Sequence, residues 1–153
     1  MMKTEPLATI DTELDEQITD LLRQSDQRFT KGRRALVEAL LTGGQPMTIP
    51  QVLKADTRLA QSSAYRNLVV LEAAGVVTRI VTNDDFARYE LAEHLTHHHH
   101  HLICSSCGDV ADFALDDQAE AGLDKALHKI AAAIGFTVEA HRLDLLGVCS
   151  DCD

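Results

Sequence analysis

The chain of 153 residues is 45% hydrophobic and 25% charged, with 4% aromatics and no Trp. This is the balance of a globular protein, and it speaks against aromatic stacking platforms for single-stranded nucleic acid. The net charge of −10 is unevenly spread: residues 21–82 hold nine Lys or Arg against four acids, whereas 94–153 hold three against ten. No apolar run approaches the roughly 20 residues of a membrane span, and an acidic start argues against an export signal, so a cytoplasmic protein without a membrane partner is expected.

Helical periodicity begins at Thr12 and runs to Gln24, with Leu14, Ile18, Leu21 and Leu22 on one stripe and acids in the first turns, where the helix dipole favours them. A second helix runs from Lys31 or Gly32 to Leu41 and ends at Gly43-Gly44. A third starts at Thr48 or Ile49, with Pro50 suited to its first turn, and closes near Thr57. A fourth is expected from Ser62 as N-cap to Gly75, burying Leu59, Leu68, Val69 and Leu71. Val76 to Thr82 and Phe86 to Leu91 read as strands joined at Asn83-Asp84-Asp85. Helices followed by a hairpin give the order of a winged helix-turn-helix, with the helix from Ser62 as recognition element.

Beyond a boundary near Ala92 to Thr96, strands are expected at His97 to Ile103, Val110 to Leu115 and Phe136 to Leu146, with a helix from Asp117 to Ala133. The fold class is therefore α+β: a winged-helix domain over 1–92, then a small α/β domain over 93–153.

Cys104-Ser-Ser-Cys107 and Cys149-Ser-Asp-Cys152 are two CxxC pairs with 41 residues between them. Each pair can point two thiolates at one ion, and two pairs complete a Cys₄ structural zinc site. The rival, a redox CxxC, would need one pair to open a helix, yet Gly108 follows the first and the second lies at the chain end.

His97 to His101 are five consecutive histidines. On a strand, His97, His99 and His101 face one way and His98 and His100 the other, so two metal sites could stand back to back. Zinc needs further ligands at each, and Glu90, His94, Glu120, Asp124 and His141 are candidates. Glu120 and Asp124, four apart, share one helix face. His128 reads as an ordinary solvated residue.

These residues carry a family pattern. His97 to Cys107 with Gly108, preceded by Ser63-Ala64-Tyr65-Arg66-Asn67-Leu68 and followed by Gly147-Val-Cys149-Ser-Asp-Cys152, resembles the ferric uptake regulator family of metal-responsive transcription regulators, over about Phe29 to Cys152. The His run looks most like its zinc uptake regulator branch. The resemblance implies a homodimeric repressor binding an inverted-repeat, double-stranded DNA operator, with no small organic substrate. It implies DNA contacts by Arg33, which sits in Thr30-Lys31-Gly32-Arg33, and by Ser63, Tyr65, Arg66 and Asn67 on the recognition helix. It assigns Cys104, Cys107, Cys149 and Cys152 to structural zinc, His99 and His101 to a sensory site, and His98, His100 and His141 to an additional site. The helix carboxylate of that additional site falls on Asp124 when counted back from Gly135, with Glu120 the alternative.

Three departures bear on the sensory metal. Met47 stands where iron and peroxide sensors take a His, Thr78 stands where zinc sensors often carry Asp, and His94 falls near the position of a Cys. The sensory set read from the sequence is therefore Glu90, His94, His99 and His101. Zn(II) is the expected cofactor, structural and regulatory, with Fe(II) the alternative at the sensory site. An enzyme is not expected: ligands are in surplus and there is no HExxH motif. Passive zinc binding would leave the basic half of the chain without a task.

Overall fold

A computed structural model describes residues 9–153 and divides the chain into two compact units, one ending at His97 and one running from His98 to Asp153. The division thus falls inside the His run rather than after Ala92.

In the first unit, α1 (Thr12–Gln24) is started by Asp11, whose carboxylate accepts from the Leu14 N–H at 2.8 Å, and it buries Ile18 and Leu22. The helix α2 (Lys31–Gly43) is capped by the Thr30 hydroxyl and ends at Gly44, whose φ of 63° is the left-handed conformation that glycine adopts without Cβ strain. A two-residue strand, β1 (Met47–Thr48), leads into α3 (Ile49–Ala55) through a capping box in which Thr48 and Gln51 satisfy each other's backbone N–H. The helix α4 (Gln61–Ala73) differs from expectation at its start. It begins after Ala60 without a side-chain cap, and Ser62 lies inside the first turn. Its buried residues are Ala64, Leu68 and Leu71, while Val69 is 65% exposed.

Strands β2 (Val77–Val81) and β3 (Ala87–Leu91) form an antiparallel hairpin, and β1 pairs with the free edge of β3, giving the order β1-β3-β2. Ile18, Leu22, Leu36, Val37, Leu40, Val52, Leu68 and Leu71, with Val77 and Leu91 of the strands, make one core from four helices and the sheet. The hairpin tip is held by Arg88, 5% exposed, whose guanidinium donates to Asp84 and to Thr82. This pairing brings the Asp84 carboxyl down to about 2, the Arg88 hydrogen bonds first and the Thr82 hydroxyl second. The unit closes with a 3-10 turn over Glu93–Leu95.

In the second unit, β4 (His100–Cys104) is the central strand, antiparallel to β5 (Val110–Phe113) and parallel to β6 (Asp144–Gly147). Between β5 and β6 runs α5 (Asp117–Ala133), capped by Asp116 accepting from the Ala119 N–H at 2.8 Å. The strand expected from Phe136 to Leu146 is confined to Asp144–Gly147, the stretch that pairs in register with β4; of 136–143, which has no regular structure, Leu143 accepts one hydrogen bond from the His101 N–H. His141 therefore precedes the last strand rather than lying on it. The core here is small, with Ile103, Val110 and His100 buried, while Ile130, Ile134, Phe136, Leu145, Leu146 and Val148 remain exposed.

Candidate metal centres and nucleic-acid interface

The parallel pairing of β4 and β6 sets Cys104 beside Gly147, so the knuckle after β4 meets the one after β6. The four Sγ atoms of Cys104, Cys107, Cys149 and Cys152 lie within 4.8 Å of one another, with Cys107 and Cys149 at 3.9 Å. Tetrahedral Zn–S bonds of about 2.3 Å need sulfurs roughly 3.8 Å apart, so the set fits that ion. All four cysteines are free thiols. The N–H groups of Cys107 and Cys149 point at Cys104 Sγ, at 3.5 and 3.4 Å, and bring that thiol down to about 6. The Asp109 N–H pulls on Cys107 likewise, but the Cys104 sulfur, burial and the remaining sulfurs outweigh it and push Cys107 up to about 12. Four thiolates together thus call for a dication.

The strand expected from His97 is confined to β4, which begins at His100, yet His98 and His99 before it join the sets of His100 and His101 respectively. On one face His98, His100 and His141 converge through Nε2 on a single carboxylate, Glu120, at 3.0, 2.9 and 3.0 Å. The His100 hydrogen bond is the main reason the Glu120 carboxyl lies below its usual range. Glu120, in the first turn of α5, takes the place expected for Asp124. Asp124, one turn on, instead meets the far side of His141, its Oδ1 at 3.1 Å from Nδ1. That contact suits a proton on Nδ1 and leaves the Nε2 lone pair turned toward Glu120. His141 Nε2 is buried and makes no aligned hydrogen bond despite its proximity to Glu120. A lone pair facing a carboxylate is repulsive, and a shared cation removes the conflict. Three imidazoles and one carboxylate fit Zn(II), and equally Fe(II) or Mn(II).

On the opposite face, His99 and His101 stack edge to face with centroids 5.1 Å apart, and Asp112 presents oxygens 3.9 and 3.8 Å from their Nε2 atoms. Asp112 is opposite His101 in the β4–β5 register, which places both side chains on one face. His101 Nδ1 is taken up by Asp144 on β6 at 3.2 Å. Both histidine sets therefore repeat one arrangement, a carboxylate against the Nδ1 of a histidine, Asp124 behind His141 and Asp144 behind His101. Asp112 was not among the expected residues, and the signal for it was its mirror position across the CxxC hairpin. Glu90 and His94 belong to the first unit, Glu90 on β3 opposite Thr78 and His94 exposed on the 3-10 turn.

On α4 the exposed face carries Ser62, Tyr65 at 51% exposure, Arg66 and Val69, while Ser63 is half-buried. Arg33 and Asn67 are joined instead: Arg33 Nε donates to Asn67 Oδ1 at 3.2 Å. Among the described residues no helix is long and apolar enough to cross a membrane.

Similarity to known proteins points the same way. Residues 24–146 match the model of the ferric uptake regulator family. The chain is 31% identical to the peroxide operon regulator of Bacillus subtilis over 137 residues, 87% of this chain and 89% of that one. It is 29% identical to the peroxide-responsive repressor PerR of Staphylococcus epidermidis over 150 residues, 95% of this chain and 94% of the relative. The ferric uptake regulator of Vibrio cholerae superposes with a TM-score of 0.67 at 26% identity, covering 86% of this chain and 98% of that one. With a winged helix in the first unit, a four-thiol cluster in the second and this similarity along most of its length, the chain belongs to the ferric uptake regulator family of metal-responsive transcription regulators.

Proposed function

We propose that the protein is a zinc-responsive repressor of zinc uptake genes, which binds an inverted-repeat duplex as a homodimer. The observation that carries the reading is the pair of histidine-carboxylate sets built around His100 and His101 of β4, together with Met47 at the position where iron and peroxide sensors take a His. Met47 is buried in β1, with its side chain against Gly43, and offers no imidazole.

Structural zinc is assigned to the four cysteines. The sensory set combines Glu90 and His94 with His99 and His101, to which Asp112 is added on geometry. His98, His100, Glu120 and His141 form the additional set, with Asp124 behind it. Since the sensory set draws on residues of both units, metal binding would favour one relative orientation of the winged helices. In a dimer that orientation fixes the spacing of two recognition helices, which must match half-sites about one helical turn apart or a multiple of it. A coupling of about 1–3 kcal/mol tightens DNA binding roughly 5- to 150-fold, and DNA tightens metal binding equally. The exposed apolar side chains of the second unit, Ile134, Phe136, Leu145 and Leu146 among them, supply a surface suited to a second copy.

A second reading, an iron- or peroxide-sensing repressor, is favoured by the relatives named for peroxide response and by nitrogen and oxygen donors that accept Fe(II). The deciding experiment is operator binding with free Zn(II), or anaerobic Fe(II), buffered across a range. Zinc-dependent binding that is lost in His99→Ala/His101→Ala supports the first reading. Binding driven by iron in its own range, with no zinc response, moves the protein to the second.

A further inference from the structure

We propose that Arg33 is a positioning residue which holds the recognition helix through Asn67, and so governs base discrimination rather than phosphate affinity. The proposal rests on the reading of α4 as the DNA-reading helix.

The Arg33 guanidinium is committed to three protein acceptors in three places. Nε donates to Asn67 Oδ1 on α4 at 3.2 Å, Nη1 to the Arg28 carbonyl at 2.6 Å and Nη2 to Gln27 Oε1 at 2.9 Å. With Nε–H engaged, the Nε–Nη2 edge is closed to a bidentate phosphate. The fork instead ties the loop between α1 and α2 to the second turn of α4.

Two further observations show why α4 needs this tie. Its N-terminus has no side-chain cap, unlike α1, α2, α3 and α5, each of which starts on an Asp or Thr that accepts a backbone N–H. Its buried stripe is thin, Ala64, Leu68 and Leu71, so apolar burial gives limited control over sliding and rotation of the first two turns. The neighbouring Gly32 lets α2 approach this point closely: a Cβ there would stand 3.3 Å from Asn67 Nδ2. Rotation of α4 would carry Tyr65 and Arg66, two positions and one position before Asn67, away from the base edges they would read, and misplacement weakens discrimination before it weakens general attraction to phosphates.

The test uses the full-length, zinc-loaded protein with Arg33→Lys and Arg33→Gln, zinc content and circular dichroism serving as the check on folding. Amide hydrogen exchange without DNA is read over residues 61–70. Both variants should exchange about tenfold faster there, because an ammonium cannot reproduce a three-way fork. Asn67→Ala should do the same and add little to Arg33→Gln in the double variant. On a duplex selected by the wild type from randomised DNA, both Arg33 variants should narrow the affinity ratio over scrambled duplex about tenfold, with the salt dependence unchanged. Unchanged exchange in all three single variants would overturn the proposal. So would Arg33→Lys behaving as wild type while Arg33→Gln loses about one unit of salt slope with its specificity intact, the signature of a phosphate contact. If the wild type selects no duplex, the operator reading fails by itself, and the exchange data alone decide whether Arg33 holds α4.

Discussion

His141 has one nitrogen against Asp124 and the other toward Glu120, so a tautomer is chosen before any ion arrives. Asp124→Asn removes that choice without touching the ligand atoms, and affinity at the additional set should fall about 10- to 100-fold, measured by competition with a chelator of known affinity. The same substitution should leave the thiol-bound zinc unchanged. Cys149→Ser should do the reverse, lowering zinc content by about one ion per chain and exposing the second unit to proteolysis. At this scale much was legible in the sequence. The four cysteines and the odd-even split of the histidines follow from spacing and strand periodicity alone. Asp112 and Glu120 were harder. Asp112 depends on which β5 residue pairs with His101, and Glu120 against Asp124 depends on how far α5 is rotated over the sheet, both properties of contacts far apart in sequence.

Among the elements, α1 and α5 begin and end where periodicity places them, because each has an Asp at its N-cap and a stripe that leaves little freedom. The start of α4 departs from the sequence pattern: Ser62 is a good cap by residue type, yet the helix already includes Gln61. The short β1 carries no pattern of its own and exists only through pairing with β3, and 136–143, apolar enough to suggest a strand, forms no ladder, with a single bond from His101 to Leu143 at its end. In the β2–β3 wing, Asp84 is the anchor for a nearly buried Arg88, and Asp84→Asn should cost about 2 kcal/mol in denaturant unfolding. The sign of its pH dependence follows from the lowered carboxyl. Its contribution is fully present above the ordinary carboxylate pKa near 4 and is lost as pH falls toward about 2. The stability difference between wild type and Asp84→Asn should therefore shrink across that window.

For the whole molecule, the charge pattern and the exposed apolar side chains of the second unit support one division of labour. The basic stretch 21–82 within the first unit suits a polyanion, and the acidic second unit suits cations and a second copy of itself. Leu146→Arg, on a strand residue that is 76% exposed, should shift the protein toward monomer in sedimentation and weaken operator binding, while leaving zinc at the four thiols. A chain that stays dimeric with Arg at this position would place the interface elsewhere.

The histidine run has a consequence for how deletions are tolerated. Five identical residues carry no positional information, so the run cannot specify which imidazole belongs to which face. That assignment is counted backward from Ile103 and Cys104, which are fixed by pairing with Val110 and Gly147. Removing any one of the five codons yields the same polypeptide, with histidine still at the four places preceding Leu102. The donors on the C-terminal side of the run keep their register with it after such a loss, whereas Glu90 and His94, which precede it, come one residue closer along the chain.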